Sequence, residues 1–299
     1  MFLYRQFKTQ AEIDAEYNLG ALLADPQVVF DGYSALSAAA RAALKCELGV
    51  RYGATLDEKL DVFPAAAPGA PILLFIHGGY WRAFSQREFS LVASGFVPHG
   101  ITVVLSNYSL CPKVSISEIT RQNRALITWL REHGPRFNGD PDNIWVMGHS
   151  AGAQQAAMLL STDWRGEYGL PRDVIKGGFA ISGVYDLEPL RHSYLQPVLQ
   201  LDYDLIRRQS PIHNIPTWAP PLQLHVGKAE SKEFIRQARD YQRAWQAAGL
   251  KSNLYVRPGV DHFSIILDLA KAGSAYSARI RTAMGMSDRR GKSAKPVKA

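Results

Sequence analysis

Short apolar segments alternate with helix-like segments along most of the chain, and this alternation limits the fold more than any other feature. Eight segments predict β-strands: 48–52, 60–63, 71–77, 101–106, 143–148, 176–182, 221–226 and 252–257. The middle ones are almost wholly apolar, as strands are when helices cover both faces of a parallel sheet. The first two are shorter and more polar, which favours the edge of the sheet. The sequence therefore predicts an α/β fold with a mostly parallel eight-stranded sheet and helices on both faces.

Segments with helix signals lie between these strands in the sequence. Ser115 and Glu118 form the sequence signature of a capping box, which predicts a helix over 115–133. Apolar residues spaced four, three and four positions apart predict a second helix over 234–245, which Gly249 closes. The segment 151–160, which follows the G-x-S-x-G pattern described below, predicts a third helix.

Two further regions are expected to lie around the substrate site. The N-terminal segment 1–45 indicates a helical extension, with helices over 10–22 and 34–48, above one edge of the sheet. The segment 186–219 is rich in Pro, Tyr and charged residues, which predicts a cap-like insertion above the sheet. We expect residues 1–284 to form a single domain that includes both.

The net charge of +7 is concentrated near the end of the sequence. Residues 285–299 hold five Lys and Arg against Asp288, and so carry four of the seven net positive charges. This predicts a disordered basic tail and no nucleic-acid partner. No apolar run approaches the ~20 residues of a membrane span, and no secretory signal is evident. With only two cysteines, Cys46 and Cys111, we expect a cytoplasmic protein without disulfides or a membrane partner.

A serine nucleophile is the strongest functional signal. Residues 148–152 read Gly-His-Ser-Ala-Gly, which matches the G-x-S-x-G pattern, between an apolar strand and a helical segment. In that context the serine lies on a sharp turn, where glycines avoid clashes with the neighbouring strand and helix. The helix that begins at this turn favours developing negative charge. The sequence therefore predicts Ser150 as the nucleophile.

A serine hydroxyl needs a base, and the base needs a partner that fixes its tautomer. His262 follows the last predicted strand, so we expect it to be the general base. The acid should follow the preceding strand, which favours Glu230. Asp186 is the topological alternative, whereas Glu233 already falls within a helix and Asp261 adjoins the base too closely.

The oxyanion-binding groups are expected after the third strand, where the sequence reads His-Gly-Gly-Tyr-Trp. Backbone N–H groups of Gly78, Gly79 and Ala151 are the predicted donors to the tetrahedral oxygen. The side chains of Tyr80, Trp81 and His149 are predicted to contact the substrate, and for Tyr80 and Trp81 the alternative is a packing role. The spacing of His, Cys, Asp and Glu defines no metal-ligand set, so we expect neither a metal nor another cofactor. Oligomeric state is left open, a homodimer included.

Several motifs resemble those of the bacterial arylformamidase (kynurenine formamidase)-like α/β-hydrolases. They are HGGYW at 77–81, GHSAG at 148–152, ISGVYDLEP at 181–189, and the segments 210–211 and 226–237, with further likeness at 4–5 and 15–18. The resemblance covers about residues 4–270, and HGGYW is its most specific element.

The resemblance implies an α/β-hydrolase fold and hydrolysis of an N-formyl arylamine such as N-formyl-L-kynurenine to formate and kynurenine, in tryptophan catabolism. It also implies a Ser–acid–His triad, which falls on Ser150, Glu230 and His262. The expected partner is thus a small aromatic amide or ester. Because a fold does not fix a substrate, a carboxylesterase acting on short-chain or aryl esters with the same triad is the alternative.

Overall fold

The computed structural model describes residues 2–286, and its centre is one eight-stranded β-sheet. The strands are Glu47–Arg51 (β1), Lys59–Phe63 (β2), Ala70–Ile76 (β3), Thr102–Ser106 (β4), Gly139–His149 (β5), Ile175–Ile181 (β6), Leu222–Gly227 (β7) and Ser252–Arg257 (β8). All eight predicted strands are present, and only β5 differs by more than one residue at an end. It begins earlier because an irregularity in register lets Gly139 pair with Ala70 while Ile144 pairs with Ile72.

The strand order is β1-β2-β4-β3-β5-β6-β7-β8. Strand β2 runs antiparallel to both of its neighbours, β1 and β4, and every other neighbouring pair is parallel. The predicted mostly parallel sheet, with its first two strands at an edge, is confirmed. Because parallel strands end at the same edge of a sheet, the loops that follow β3, β5, β6, β7 and β8 come together there.

Helices cover both faces of this sheet. They are Gln10–Tyr17 (α1), Pro26–Ala43 (α2), Ile116–His133 (α3), Ala151–Leu160 (α4), Trp164–Tyr168 (α5), Gln196–Leu199 (α6), Tyr203–Gln209 (α7), Lys232–Ala247 (α8), Ser264–Leu267 (α9) and Ala275–Ala283 (α10). In β3, Ile72 and Leu74 belong to a cluster with residues of α3, α4 and α8, whereas Leu73 and Phe75 belong to a second with residues of α2 and α10. This alternation along a strand confirms helices on both faces.

Helix α3 begins as predicted, although only half of its capping box forms. The Ser115 hydroxyl oxygen accepts the backbone N–H of Glu118, 3.4 Å away. The Glu118 carboxylate accepts from the Arg121 guanidinium instead of returning to the cap. Helix α4 has the predicted bounds, and Gly249 follows α8 with a φ of +76°, the left-handed conformation that ends many helices.

The N-terminal helices differ from the prediction. Helix α1 ends at Tyr17, and Leu19–Leu22 forms a 3₁₀ turn. Helix α2 begins at Pro26, well before the predicted start at residue 34, because Asp25 accepts the N–H of Gln27 and proline suits the first helical position. It ends at Ala43, so the helix predicted over 34–48 is wrong at both ends.

The remaining predicted regions are placed as follows. Residues 186–219 contain α6, α7 and the 3₁₀ turns Glu188–His192 and Pro211–His213. From residue 287 onward, the predicted basic tail lies outside the described residues. Within residues 2–286, none of the helices combines the length and the apolar character that crossing a membrane requires.

Candidate active site

The predicted nucleophile, Ser150, lies at the turn between β5 and α4. Its φ is 56° and its ψ is −119°, a combination that costs backbone strain and is concentrated at functional turns. The backbone N–H of Ser150 donates to the carbonyl oxygen of Ile181 in β6, 2.8 Å away. The turn is thereby fixed against the sheet, with Ser150 3% exposed at the cavity described below.

Gly148 and Gly152 permit this turn because neither position has room for a side chain. A Cβ atom at Gly148 would lie 2.0 Å from the carbonyl oxygen of Gly152. A Cβ atom at Gly152 would lie 2.0 Å from the carbonyl oxygen of Ile76 in β3. Both neighbours are backbone atoms, so they cannot rotate away. The G-x-S-x-G spacing therefore follows from close contact between the turn, its helix and β3.

His262 and Glu230 meet at the carboxyl edge of the sheet. Glu230 follows β7 and His262 follows β8, and the Nδ1 atom of His262 lies 2.8 Å from Oε2 of Glu230. The side chains are 5% and 0% exposed, respectively. A carboxylate can only accept hydrogen bonds, so Nδ1 carries the proton. Nε2 is then the ring nitrogen left to accept a proton.

Two donors hold the second carboxylate oxygen of Glu230. Oε1 accepts the hydroxyl of Ser182, at 2.6 Å, and the backbone N–H of Gly227, also at 2.6 Å. Ser182 has a φ of +53°, and its own N–H donates to the carbonyl oxygen of His225. Sequence reasoning did not assign Ser182 a role. The only available signal was its place directly after β6, the strand next to β7, which Glu230 follows.

The other carboxylates considered as the acid are engaged elsewhere. Asp186 accepts the Tyr4 hydroxyl at 2.7 Å, and Glu233 accepts the Tyr17 hydroxyl at 3.0 Å. Asp261 accepts the backbone N–H groups of the two residues that follow His262. Glu230 is thus the carboxylate that the structure brings to the His262 ring.

Two side chains hold the loop that carries His262. The Nε2–H of His149 donates to the carbonyl oxygen of His262, 2.9 Å away, and the Tyr33 hydroxyl donates to that of Phe263, 2.5 Å away. Burial lowers the pKa of His149 well below its usual value. His149 is therefore a neutral donor that ties the nucleophile turn to the loop of the base, and it also borders the cavity.

The loop after β3 supplies backbone N–H groups near Ser150. The position of a Cβ atom on Gly78 would be 2.9 Å from the Cβ of Ser150, so the two backbones lie in close contact. Within residues 2–286, the N–H groups of Gly78, Gly79 and Ala151 donate to no protein acceptor. Unpaired N–H groups in buried surroundings are rare, because each costs free energy. They are available to a ligand oxygen.

Buried His77 shapes that loop. Its Nδ1–H donates to the carbonyl oxygen of Gly78 at 2.7 Å, and its ring stacks on Tyr108 with the centroids 4.2 Å apart. Burial lowers the pKa of His77 to about 4, which keeps the ring neutral. Gly79 then has a φ of +108°, a conformation that glycine adopts without penalty.

The N-terminal segment contributes residues to one wall of the cavity. The Tyr4 hydroxyl binds Asp186, and the Tyr17 hydroxyl binds Glu233 in α8. The Tyr80 hydroxyl in turn donates to the carbonyl oxygen of Tyr17, 2.7 Å away. We call residues 4–33 the N-terminal strap.

Ser150 and His262 both border a cavity of about 220 Å³. Gly79 and Tyr80 border it too, and the strap contributes Asn18, Leu19 and Gly20. Aromatic rings make up most of the remaining wall: Phe30, Tyr33, Phe84, Phe89, Tyr194 and Phe263.

Trp81 does not border this cavity, contrary to the prediction. It is fully buried in the apolar cluster, and its indole N–H donates to the side-chain oxygen of Gln154, 3.0 Å away. Tyr80 and Trp81 both have a positive φ, at 48° and 56°, so the chain turns sharply here. Tyr80 contributes to the cavity wall, whereas Trp81 packs in the core.

No group of three or more His, Cys, Asp and Glu side chains among residues 2–286 is arranged to hold a metal ion.

The chain is similar to known proteins over most of its length. It is 33% identical over 237 residues to the kynurenine formamidase of Danio rerio, covering 77% of this chain and 79% of that protein. It is 29% identical over 227 residues to esterase LipQ of Mycobacterium tuberculosis, covering 69% of this chain and 54% of that one. A crystal structure from Silicibacter sp. tm1040 superposes with a TM-score of 0.79 at 29% identity, covering 89% of this chain and 98% of that one.

A family model described as BD-FAE also matches residues 60–167, which span β2 to α5 and so include the loop after β3 and the turn at Ser150. The match to the Danio rerio protein extends well beyond that segment. The chain belongs to the kynurenine formamidase family of α/β-hydrolases.

Proposed function

We propose that Ser150, His262 and Glu230 form a catalytic triad that hydrolyses the formyl amide of an arylamine, N-formyl-L-kynurenine being the first candidate. The observation that carries the proposal is the hydrogen bond between His262 Nδ1 and Glu230, at a cavity that the strained Ser150 also borders.

In the first half of the reaction, Ser150 Oγ attacks the formyl carbon while His262 Nε2 takes the hydroxyl proton. The carbonyl oxygen becomes an oxyanion, which the free N–H groups of Gly78, Gly79 and Ala151 bind. Glu230 stabilises the imidazolium and keeps it in place. The C–N bond then breaks as His262 gives its proton to the leaving amine, and the formyl group stays on Ser150 Oγ.

In the second half, water enters where the amine has left. His262 Nε2 takes one of its protons, and the hydroxyl attacks the formyl carbon to form a second oxyanion at the same N–H groups. The bond to Ser150 Oγ breaks, His262 returns the proton to Oγ, and formic acid leaves as formate. The cycle balances as amide plus water to amine plus formic acid, which gives its proton to water and so becomes formate.

The aromatic wall supports an arylamine as the leaving group. Phe30 lies 5.1 Å from Phe84 and 5.7 Å from Phe263 between ring centroids, which creates a surface suited to a flat ring. The name of the Danio rerio relative points to formylkynurenine among such compounds.

Ester hydrolysis is the second candidate, and the similarity to esterase LipQ favours it. The same atoms would cleave a C–O bond, with an alkoxide or phenolate in place of the amine. An ester needs less help from the acid His262, because its leaving group is a weaker base.

A substrate panel distinguishes hydrolysis of a formyl amide from hydrolysis of an ester. Pure protein is assayed with N-formyl-L-kynurenine, its N-acetyl analogue and short p-nitrophenyl esters, and formate and amine are measured directly. We expect kcat/KM for the formyl amide to exceed that for the acetyl amide and to rival that for the esters. Activity confined to the esters would refute the formamidase proposal and leave the esterase one.

Glu230→Gln tests whether Glu230 is the carboxylate of the triad. We expect kcat to fall about 10³- to 10⁴-fold. Glu230 accepts from three donors, on Ser182, Gly227 and His262. A glutamine must turn its NH₂ group towards one of them, which either breaks the bonds at Oε1 or forces His262 into the other tautomer.

Asp186→Asn is the matched control. Its amide oxygen can still accept the backbone N–H of Glu188, and its NH₂ group can donate to the Tyr4 hydroxyl oxygen, so turnover should stay near that of the wild type. If the Asp186 variant loses turnover as severely as the Glu230 variant, the assignment of Glu230 fails.

Cys46 and Cys111 are both free thiols, as the reducing cytoplasm favours, and we propose that location for the protein.

A further inference from the structure

Arg82 stands out in the cavity wall by its charge. Of the residues that border the cavity, it alone carries a permanent charge, and none of them is Asp or Glu. The remainder of the wall is mostly aromatic, apart from the groups already assigned to catalysis. An amide group and an aryl ring need no cation to bind. The guanidinium is therefore a specific feature of the site that these two groups do not explain.

The backbone of Arg82 is attached directly to the predicted oxyanion loop. Its N–H donates to the carbonyl oxygen of Gly79, 3.0 Å away, and that of Ala83 donates to the same oxygen at 3.1 Å. The position of Arg82 is therefore set by the same turn that places Gly79 at the cavity.

The guanidinium lies over an aromatic ring rather than beside a carboxylate. Its central carbon is 5.6 Å from the ring centroid of Tyr194, a cation–π contact. Tyr194 is itself held by Asp14, which accepts its backbone N–H at 2.7 Å. The Arg82 guanidinium also donates a hydrogen bond to the Tyr194 hydroxyl. Because a guanidinium has five N–H groups, several remain for a ligand acceptor.

Arg82 differs from many arginines of this protein in having no ion-pair partner among residues 2–286. Arg121, Arg208 and Arg236, for example, each contact a carboxylate. Arg82 is exposed at the cavity, so a ligand can displace water from its N–H groups. A carboxylate matches the geometry of those groups with two parallel hydrogen bonds.

We propose that Arg82 binds a carboxylate on the leaving-group side of the substrate and so selects anionic aryl amides and esters over neutral ones. The inference rests on the proposed function in one respect: a formyl group has no substituent to carry the anion, so the anion must be on the aryl portion. Ser150 then holds the acyl carbon, the aromatic wall holds the ring, and Arg82 holds the charge.

The test uses two aryl acetates of nearly equal size. One is the acetate ester of 3-(4-hydroxyphenyl)propionate, and the other is the acetate ester of the corresponding propionamide, which is neutral. We expect the wild type to prefer the anion, and Arg82→Ala to lower kcat/KM for the anion on the order of 10- to 100-fold, mainly through KM. The neutral ester should change little.

Two variants complete the design. Arg82→Lys keeps the charge but loses the two-bond geometry, so we expect it to restore part of the preference. Arg87→Ala removes the same charge from an exposed position outside the cavity, and it should leave both esters unaffected. An equal loss for both esters in Arg82→Ala, or the same loss of preference in Arg87→Ala, would overturn the proposal.

The outcome is separable from that of the formamidase proposal because both probes are esters. If the wild type cleaves no formyl amide but still prefers the anionic ester through Arg82, the formamidase proposal fails and this inference stands. If it cleaves formylkynurenine but shows no charge preference between the esters, this inference fails and the formamidase proposal stands.

Discussion

Ser150→Ala is expected to lower turnover about 10⁵- to 10⁶-fold, because a triad nucleophile acts as one unit with its base and the proposed mechanism has no other group to replace it. Alanine lacks the Oγ atom but has the same Cβ, so the turn, His262 and Glu230 should remain in place. Steady-state kinetics with the best substrate of the panel would measure the loss. Labelling by a fluorophosphonate probe should disappear in parallel.

Ser34→Ala provides the matched control, since it removes an exposed hydroxyl from α2. It should retain both turnover and labelling. Substantial turnover by the Ser150 variant, with the fold intact by circular dichroism, would show that another group attacks the substrate.

Gly152→Ala has the largest expected effect on stability. The added Cβ would lie 2.0 Å from the carbonyl oxygen of Ile76 and 2.6 Å from that of His77, and both are backbone atoms at the end of β3. Relief requires α4 to move away from the sheet. We expect the free energy of unfolding to fall by at least about 3 kcal/mol, as overpacking against rigid atoms does, with loss of activity because the Ser150 turn shifts.

Gly32→Ala makes the same chemical change in α2 but meets nothing within 4 Å. Alanine is the better helix former, so this variant should gain roughly 0.5–1 kcal/mol. Urea titrations of the two variants against the wild type give both values. Equal stabilities of the two variants would mean that α4 does not contact the end of β3 closely at Gly152.

The sequence predicted the parts of the molecule that depend on local pattern. Continuous apolar segments such as that of β3 must be strands covered on both faces, and the order of strands and helices then fixes which loops meet. Ser150, Glu230 and His262 were predicted in this way because each lies within five residues after a strand that ends at the same edge.

The sequence did not predict features that depend on contacts between distant segments. Nothing local to Ser182 indicates that its hydroxyl will meet Glu230. Trp81 and Tyr80 have similar character, and only the backbone turn decides which of them faces the cavity. The early start of α2 has a local signal in Asp25 and Pro26, which the predicted start at residue 34 disregards.

The N-terminal strap has a consequence for how the enzyme is made. Tyr17 binds Glu233, 216 positions later, and Tyr33 binds Phe263, 230 positions later. On the ribosome, the strap must therefore wait for residues synthesised more than 200 positions later before the cavity wall can close. A nascent polypeptide that does not yet include residue 262 lacks the proposed base, so catalysis cannot begin before that part of the chain is made.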